Sequence, residues 1–185
     1  MHEKINQLLT MDYIFTTERL GFRTWQTHDH EKMIAISSDK EVMKHFPALA
    51  TRQQTLEFIS SMNALYEKKG YCYFAVDRLE DSAFIGFIGL NYVDYKADFT
   101  PAVDIGWRLS TQYWNRGYAT EGARGCLRYG FDKLLMNEIV AIAPTVNLPS
   151  IHVMKKIGMT KVREFEHPRL ISSHLNPCVL YRINH

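Results

Sequence analysis

Apolar residues recur along this chain in two rhythms, every second residue or every third to fourth, and the changes of rhythm mark its elements. Leu20 and Phe22, with Trp25 beyond them, predict a first strand. Asp29 to Ser37 and Asp39 to Phe46 read as short helices, the second stopped by Pro47. Thr51 caps a longer helix that places Leu56, Ile59, Met62 and Tyr66 at helical spacing and ends at Gly70. Tyr71 to Asp77 is a strand, Asp81-Ser82 a turn, and Ala83 to Val93 a strand rich in β-formers. Pro101 to Leu109 follows, with Val103, Ile105, Trp107 and Leu109 on one face. A helix then turns Ala119, Ala123, Leu127 and Tyr129 to Phe131 inward. Ile139 to Ala143 is a short buried strand. Asn147 to Ile157 is a helix with Pro149 in its first turn and Gly158 at its C-terminal cap. Lys161 to Phe165 and Val179 to Ile183 supply the last strands.

Strands that come in a run and then alternate with helices imply an α/β (α+β) fold, a mixed sheet covered on both faces. The 185 residues fit one domain. With no repeat or linker-like shift, residues 13–185 form that domain and 1–12 an N-terminal extension. A formal charge of +2 with acids and bases interspersed argues against nucleic acid as a partner. Cys72, Cys126 and Cys178 are scattered without paired spacing, as expected of reduced thiols in a cytoplasmic setting. Met1 to Thr10 lacks the charged-then-apolar layout of a leader, and the apolar run Ala83 to Leu90 is too short to span a bilayer. No membrane partner is expected. Oligomeric state is left open, a homodimer included.

The most informative stretch is Tyr113-Trp114-Asn115-Arg116-Gly117-Tyr118-Ala119-Thr120-Glu121, where a strand gives way to a helix. A turn there leaves main-chain N–H groups unpaired at a helix N-terminus, a setting that suits phosphate or pyrophosphate. Small residues at Gly117 and Ala119 permit close approach, and Arg116 adds positive charge. The plain alternative is an ordinary strand–helix turn.

Five stretches, in this order and spacing, resemble the GNAT superfamily of N-acetyltransferases. They are Thr17-Glu18-Arg19-Leu20, Phe84 to Leu90, Asp104-Ile105-Gly106-Trp107-Arg108-Leu109, the glycine turn, and Asn147-x-x-Ser150 leading into Lys156-Ile157-Gly158-Met159. His167-Pro168-Arg169-Leu170 and Val179-Leu180-Tyr181-Arg182 look like the branch of ribosomal-protein N-terminal acetyltransferases, RimJ and RimL. The resemblance covers Thr17 to Ile183. It implies a mostly antiparallel sheet of six to seven strands with a splayed parallel pair and helices on both faces. It also implies acetyl-CoA as cosubstrate and a primary amine as acceptor, either a peptide N-terminus or a small molecule. By the same resemblance, Asn115, Arg116, Gly117, Tyr118, Ala119 and Thr120 hold the pyrophosphate. The pantetheine arm pairs with the main chain near Trp107, Arg108 and Leu109, and Asn147 binds its amides. The chain departs from the family pattern with Trp114 in place of Gln or Arg, Met154 in place of a tyrosine acid, and Asp104 in place of the closer relatives' Glu.

Transfer needs a neutral amine. At pH 7 protonation costs an α-amine about 1.4 kcal/mol and a lysine roughly 4.6 kcal/mol. Asp104 is the candidate base, set against a plain ion pair with Arg108 on the same face. Ser150 lies with Val153, Met154 and Ile157 on one helix face, the one hydroxyl on an apolar stripe. The resemblance puts it near the thioester sulfur; the bland reading bonds it to its own helix. A strand N–H near Trp107 or Arg108 would meet the oxyanion. Glu121 belongs to the first helical turn. His28-x-His30 lacks a third ligand, so no metal is expected. His152 is expected in solvent, Cys126 in the core, and His167 and His174 on a loop roofing the acceptor site. The absent Gly-x4-Gly-Lys signature speaks against nucleotide hydrolysis. The competing function is a CoA-binding sensor without catalysis, an option that Met154 and Asp104 keep in play.

Overall fold

The near-continuous burial of the strands Leu20–Arg23, Ala83–Val93 and Cys178–Asn184 calls for cover on both faces, and the strands pair into one eight-stranded sheet. A computed structural model describes residues 12–170 and 173–185. The expected N-terminal extension lies, but for Asp12, outside the described residues. The strands are β1 (Phe15–Thr16), β2 (Leu20–Arg23), β3 (Tyr73–Arg78), β4 (Ala83–Val93), β5 (Ala102–Leu109), β6 (Glu138–Pro144), β7 (Thr160–Phe165) and β8 (Cys178–Asn184). Their order across the sheet is β1-β2-β3-β4-β5-β6-β8-β7, antiparallel throughout except between β5 and β6. The strand beyond the expected seven is β1, too short to show a period. Its Phe15 ring stacks on Phe22 at 4.3 Å and on Tyr129 at 4.8 Å.

The helices are α1 (His30–Ser38), α2 (Lys40–Met43), α3 (Arg52–Lys69), α4 (Tyr118–Arg128) and α5 (Leu148–Lys156). Local chemistry sets their ends. Thr51 Oγ1 accepts from the Gln54 N–H (3.2 Å) while Gln54 Oε1 accepts from the Thr51 N–H (2.9 Å), which closes the start of α3. Gly70, left-handed at φ 76°, closes its end. α2 is shorter than the expected Asp39 to Phe46, and the chain leaves it after Met43. The helix after the glycine turn ends at Arg128 and runs on as a π-helical turn, Tyr129–Lys133.

Adjacent β4 residues show which helix covers which face. Ile88 lies under α4 at Gly122, whereas Phe87 packs with Trp25 and with Phe58 of α3. α4 therefore covers one side of the sheet, and α1 and α3 the other.

A buried ion cluster ties the start of α1 to the sheet. Arg23 on β2 donates to both oxygens of Asp77 on β3 (2.6 and 2.8 Å) and to both of Asp29 before α1 (2.6 and 2.9 Å). All three side chains are almost completely buried. Burial opposes the Arg23 charge, but the two carboxylates outweigh it and raise its pKa. Arg23→Met would strand two buried carboxylates and should cost about 3–5 kcal/mol in urea denaturation. Cutting the exposed Arg52–Glu31 pair by Arg52→Ala should leave the midpoint almost unmoved.

Candidate functional site

β5 is paired along its whole length with β4, from Ala102↔Val93 to Leu109↔Gly86, but meets β6 at a single bridge, Asp104↔Val140. Beyond that bridge the two parallel strands part. The Ser110 N–H bonds the Ile85 carbonyl at 3.0 Å, which sets the alternation. The N–H groups of Gly106 and Arg108 point to β4, and the main-chain polar groups of Trp107 and Leu109 face the gap. The Leu109 carbonyl is taken by the Trp114 indole N–H (2.8 Å). The Trp107 N–H and C=O and the Leu109 N–H face the opening.

The far side of this opening is α5. Asn147 caps it, its Oδ1 accepting from the Ser150 N–H (3.3 Å). The Trp107 indole crosses the gap and donates to Ser150 Oγ (3.1 Å). That hydroxyl is therefore not spent on its own helix, and having accepted one proton it keeps its own to give. Met154 is buried in the core.

The turn into α4 has left-handed backbone at Asn115 (φ 57°) and Gly117 (φ 82°). A Cβ at position 117 would meet only Arg19 Nη2, at 3.4 Å, so conformation rather than space demands glycine there. Glu121 N–H is the first to close onto the Gly117 carbonyl (3.0 Å), so the N–H groups of Tyr118, Ala119 and Thr120 have no helical partner. The Tyr118 ring is buried, with Arg19 stacked on it at 4.6 Å. The motif Thr17-Glu18-Arg19 braces this turn. Thr17 Oγ1 (2.7 Å), the Arg19 N–H (2.8 Å) and Arg19 Nε (2.6 Å) all donate to Glu121, while Arg19 Nη1 holds the Arg116 carbonyl (3.1 Å). Burial resists ionisation of Glu121, but these donors prevail and hold its pKa below the ordinary value. Beside the turn runs an open groove of about 650 Å³, with Thr120, Arg124, Arg128 and Lys156 among its lining residues. Arg19 is matched by Glu121, whereas Arg124 donates to a carbonyl, that of Lys156 (2.7 Å), and keeps its charge uncompensated.

On the opposite face of β5 stand Asp104, Gly106 and Arg108. Tyr73 on β3 crosses Gly106, where a Cβ would lie 2.9 Å from its hydroxyl, and donates to Asp104 Oδ2. Asp104 is buried, and burial pushes its pKa up to about 7 against the opposing hydrogen bond from Tyr73 and the Ile142 amide. Oδ1 has no partner in hydrogen-bonding geometry among the described residues. Burial, then the Asp104 charge, push Tyr73 well above its ordinary value. Arg108 does not pair with Asp104. Its guanidinium sits 4.3 Å from the Phe46 ring and donates to Ser37 Oγ (3.2 Å), and burial lowers its pKa to about 10. Tyr95, from the β4–β5 connection, packs its ring against His167, 4.6 Å between centroids and tilted by 42°. Burial and then Arg169 lower the His167 pKa.

The fold thus brings Trp107, Leu109, Asn147 and Ser150 around one gap, with the turn Asn115 to Thr120 at the start of α4. Arg108 is set apart from them. Its N–H belongs to the β4 ladder and its side chain to the other face. His167 packs against the Tyr95 ring, and His174 is close enough to His45 to lower its pKa, after burial and Lys44. Ile171 and Ser172 of that loop lie outside the described residues. His152 is exposed and Cys126 buried. No group of three or more potential metal ligands occurs among the described residues, and no helix among them is long and apolar enough to cross a membrane. The sequence did not single out Tyr73, Tyr95 or Arg124, and marked Lys156 only as part of the stretch Lys156 to Met159. Tyr73 had a readable signal in Gly106, a glycine within a strand that leaves room for a ring.

Comparison with known proteins gives the same outline. Residues 19–160 match the family described as acetyltransferase (GNAT) domain. The chain is 33% identical to the uncharacterized N-acetyltransferase YnaD of Bacillus subtilis over 79% of its own length and 82% of that protein's. It superposes on a GNAT-family acetyltransferase from Bacillus anthracis with a TM-score of 0.77 at 28% identity, covering 91% of this chain and 96% of that one. A spermidine N-acetyltransferase from Vibrio cholerae, solved with CoA and spermine, shares the fold at 16% identity and a TM-score of 0.72, over 90% and 95% of the two chains.

The buried acid has a measurable signature in stability. Below about pH 4 Asp104 is neutral whether folded or unfolded. Between there and about 7 only the unfolded chain ionises, so stability falls as pH rises and the full penalty is present above 7. Asp104→Asn should therefore be more stable than wild type at pH 8, by up to about 4 kcal/mol, with the gain vanishing near pH 4. Denaturation curves at the two pH values check this.

Proposed function

We propose that this chain, which belongs to the GNAT family and is an N-acetyltransferase, carries an acetyl group from acetyl-CoA to a primary amine by direct attack in a ternary complex. The observation that carries the reading is the parting of β5 from β6 after one bridge, with unpaired main-chain groups on one side and the Ser150 hydroxyl on the other. An extended amide-bearing arm fits such an opening by extending the ladder that β6 abandons.

The pyrophosphate would lie on the N–H groups of Tyr118, Ala119 and Thr120, favoured by the α4 dipole and by Arg116. Arg124 and Lys156 in the adjoining groove suit the remaining phosphate of the coenzyme. The pantetheine amides would pair with the Trp107 main chain and the Leu109 N–H, with Asn147 at the α5 cap.

The acceptor amine approaches from the face that carries Asp104. A base titrating near 7 is matched to an α-amine, which needs little help at neutral pH, and poorly matched to lysine. As the nitrogen bonds the thioester carbon, its proton passes to Asp104 and the Trp107 N–H meets the developing oxyanion. When the carbon–sulfur bond breaks, the Ser150 hydroxyl, oriented by the Trp107 indole, donates a hydrogen bond to the departing thiolate, which then takes its proton from solvent. Met154 offers no acid there. Tyr73 holds the Asp104 carboxylate in place. Peptide N-termini, the acceptors implied by the RimJ and RimL resemblance, and small-molecule amines both meet these demands.

Thiol release from acetyl-CoA, measured across a panel of amines, tests the reading. Besides the limb set by the acceptor amine's own ionisation, near 8 for an α-amine, the wild-type kcat/KM should show a limb near pH 7, since Asp104 must be ionised to accept a proton. Asp104→Asn should abolish that limb and lower kcat/KM by about 10²–10⁴. Ser150→Ala should lower kcat with acetyl-CoA affinity little changed. Tight CoA binding with no turnover on any amine, in wild type and variants alike, would overturn it.

A further inference from the structure

Buried polar side-chain atoms without partners are rare in folded proteins, and each asks for a cause. Among the described residues four such atoms occur: Arg182 Nε, which lies 3.0 Å from a Glu138 carboxylate oxygen, and Tyr95 Oη, Asp104 Oδ1 and Arg108 Nε, which border the acceptor face of β5. Tyr95 and Asp104 are close enough that the carboxylate raises the phenol's pKa, second to burial. Arg108 stands four residues along the same face, about 13 Å from Asp104 between Cα atoms. Tyr73 lies across the Gly106 between them.

The surroundings of Arg108 are unusual for a guanidinium. It packs between the rings of Phe46 (4.3 Å) and Phe87 (5.4 Å) and has a single hydrogen bond to a neutral hydroxyl, Ser37 Oγ. No carboxylate among the described residues forms an ion pair with it. The other deeply placed arginine, Arg23, has two carboxylates. A desolvated cation left without a counter-charge is costly unless something else supplies the charge. Aromatic walls leave the planar fork oriented, which is how a protein presents arginine to a carboxylate.

We infer that the acceptor is an amine that also carries a carboxylate, with its amine at Asp104 and its carboxylate on Arg108. This rests on the acetyl transfer proposed above and narrows its acceptor. Polyamines fit poorly, because their second cation would meet Arg108. The carboxylate has two possible sources, the α-carboxylate of a free amino acid or an acidic side chain beside a peptide's N-terminus.

The test pairs acceptors that differ only in charge. Free L-amino acids are compared with their carboxamides, amidated tetrapeptides with Asp or Asn at the second position with each other, and spermidine is run alongside. Thiol release should favour the carboxylate member of at least one set by about ten- to a hundredfold in kcat/KM. Arg108→Gln should erase that preference by raising KM for the carboxylate acceptors more than for the amides, and Arg108→Lys, which keeps charge without the fork, should restore part of it. Near-UV circular dichroism establishes that both variants are folded. Equal use of acid and amide, or an equal loss on both in Arg108→Gln, would overturn the inference. If no amine is turned over, the transferase reading fails separately. Thermal shifts in the presence of CoA then decide this one: stabilisation by the carboxylate probes alone, lost in Arg108→Gln, supports it, and no shift from any probe refutes it.

Discussion

One parallel bridge, Asp104 to Val140, joins the halves of this sheet, and the rest of the molecule is arranged around the fact that there is only one. Continued pairing would have satisfied the Trp107 and Leu109 main chain and sealed the sheet. Parting instead leaves polar groups that must find other partners. The protein offers one internally, the Trp114 indole on the Leu109 carbonyl, and spans the gap with the Trp107–Ser150 bond. Antiparallel ladders on either side, β4 with β5 and β6 with β8, hold both walls in register, so the opening is a property of the scaffold rather than of a loop.

β5 then divides two chemistries by its period of two. Trp107 turns toward Ser150 on α5, and Asp104 and Arg108 turn to the opposite face, where Arg108 reaches Ser37 on α1. Burial acts oppositely on the acid and the base of that second face, raising Asp104 to about 7 and lowering Arg108 to about 10. Both shifts cost stability, and under the proposed reaction a substrate would relieve them. By contrast Arg23, the more completely enclosed of the two arginines, is fully matched by Asp29 and Asp77, and serves to anchor α1 over the sheet.

Much of this was legible in the amino-acid order because it is written locally. Thr51 and Gly70 bound α3, Asn147 and Gly158 bound α5, and Gly117 marks the turn, each by backbone chemistry within a few residues. The alternation Val103, Ile105, Trp107, Leu109 assigned faces to β5 correctly. What stayed hidden depends on pairs distant in sequence. The plain alternative for Asp104 was an ion pair with Arg108, four residues away, yet its partner is Tyr73, thirty-one away, and no period links them. The Glu121 clamp on Thr17 and Arg19 spans more than a hundred residues. β1 was too short for any pattern, and the helix expected to continue to Phe46 stops at Met43 because tertiary packing, not propensity, sets its length.

The central claim, that coenzyme enters between β5 and β6 and rests on the α4 turn, is tested most directly by following backbone amides in nitrogen-edited NMR spectra during a CoA titration. The account predicts that the amides of Trp107, Leu109, Tyr118, Ala119 and Thr120 and the Trp107 indole move together, while amides of β1 and β2 away from the groove stay still. Saturable binding that leaves Trp107 and the α4 turn unmoved would contradict it.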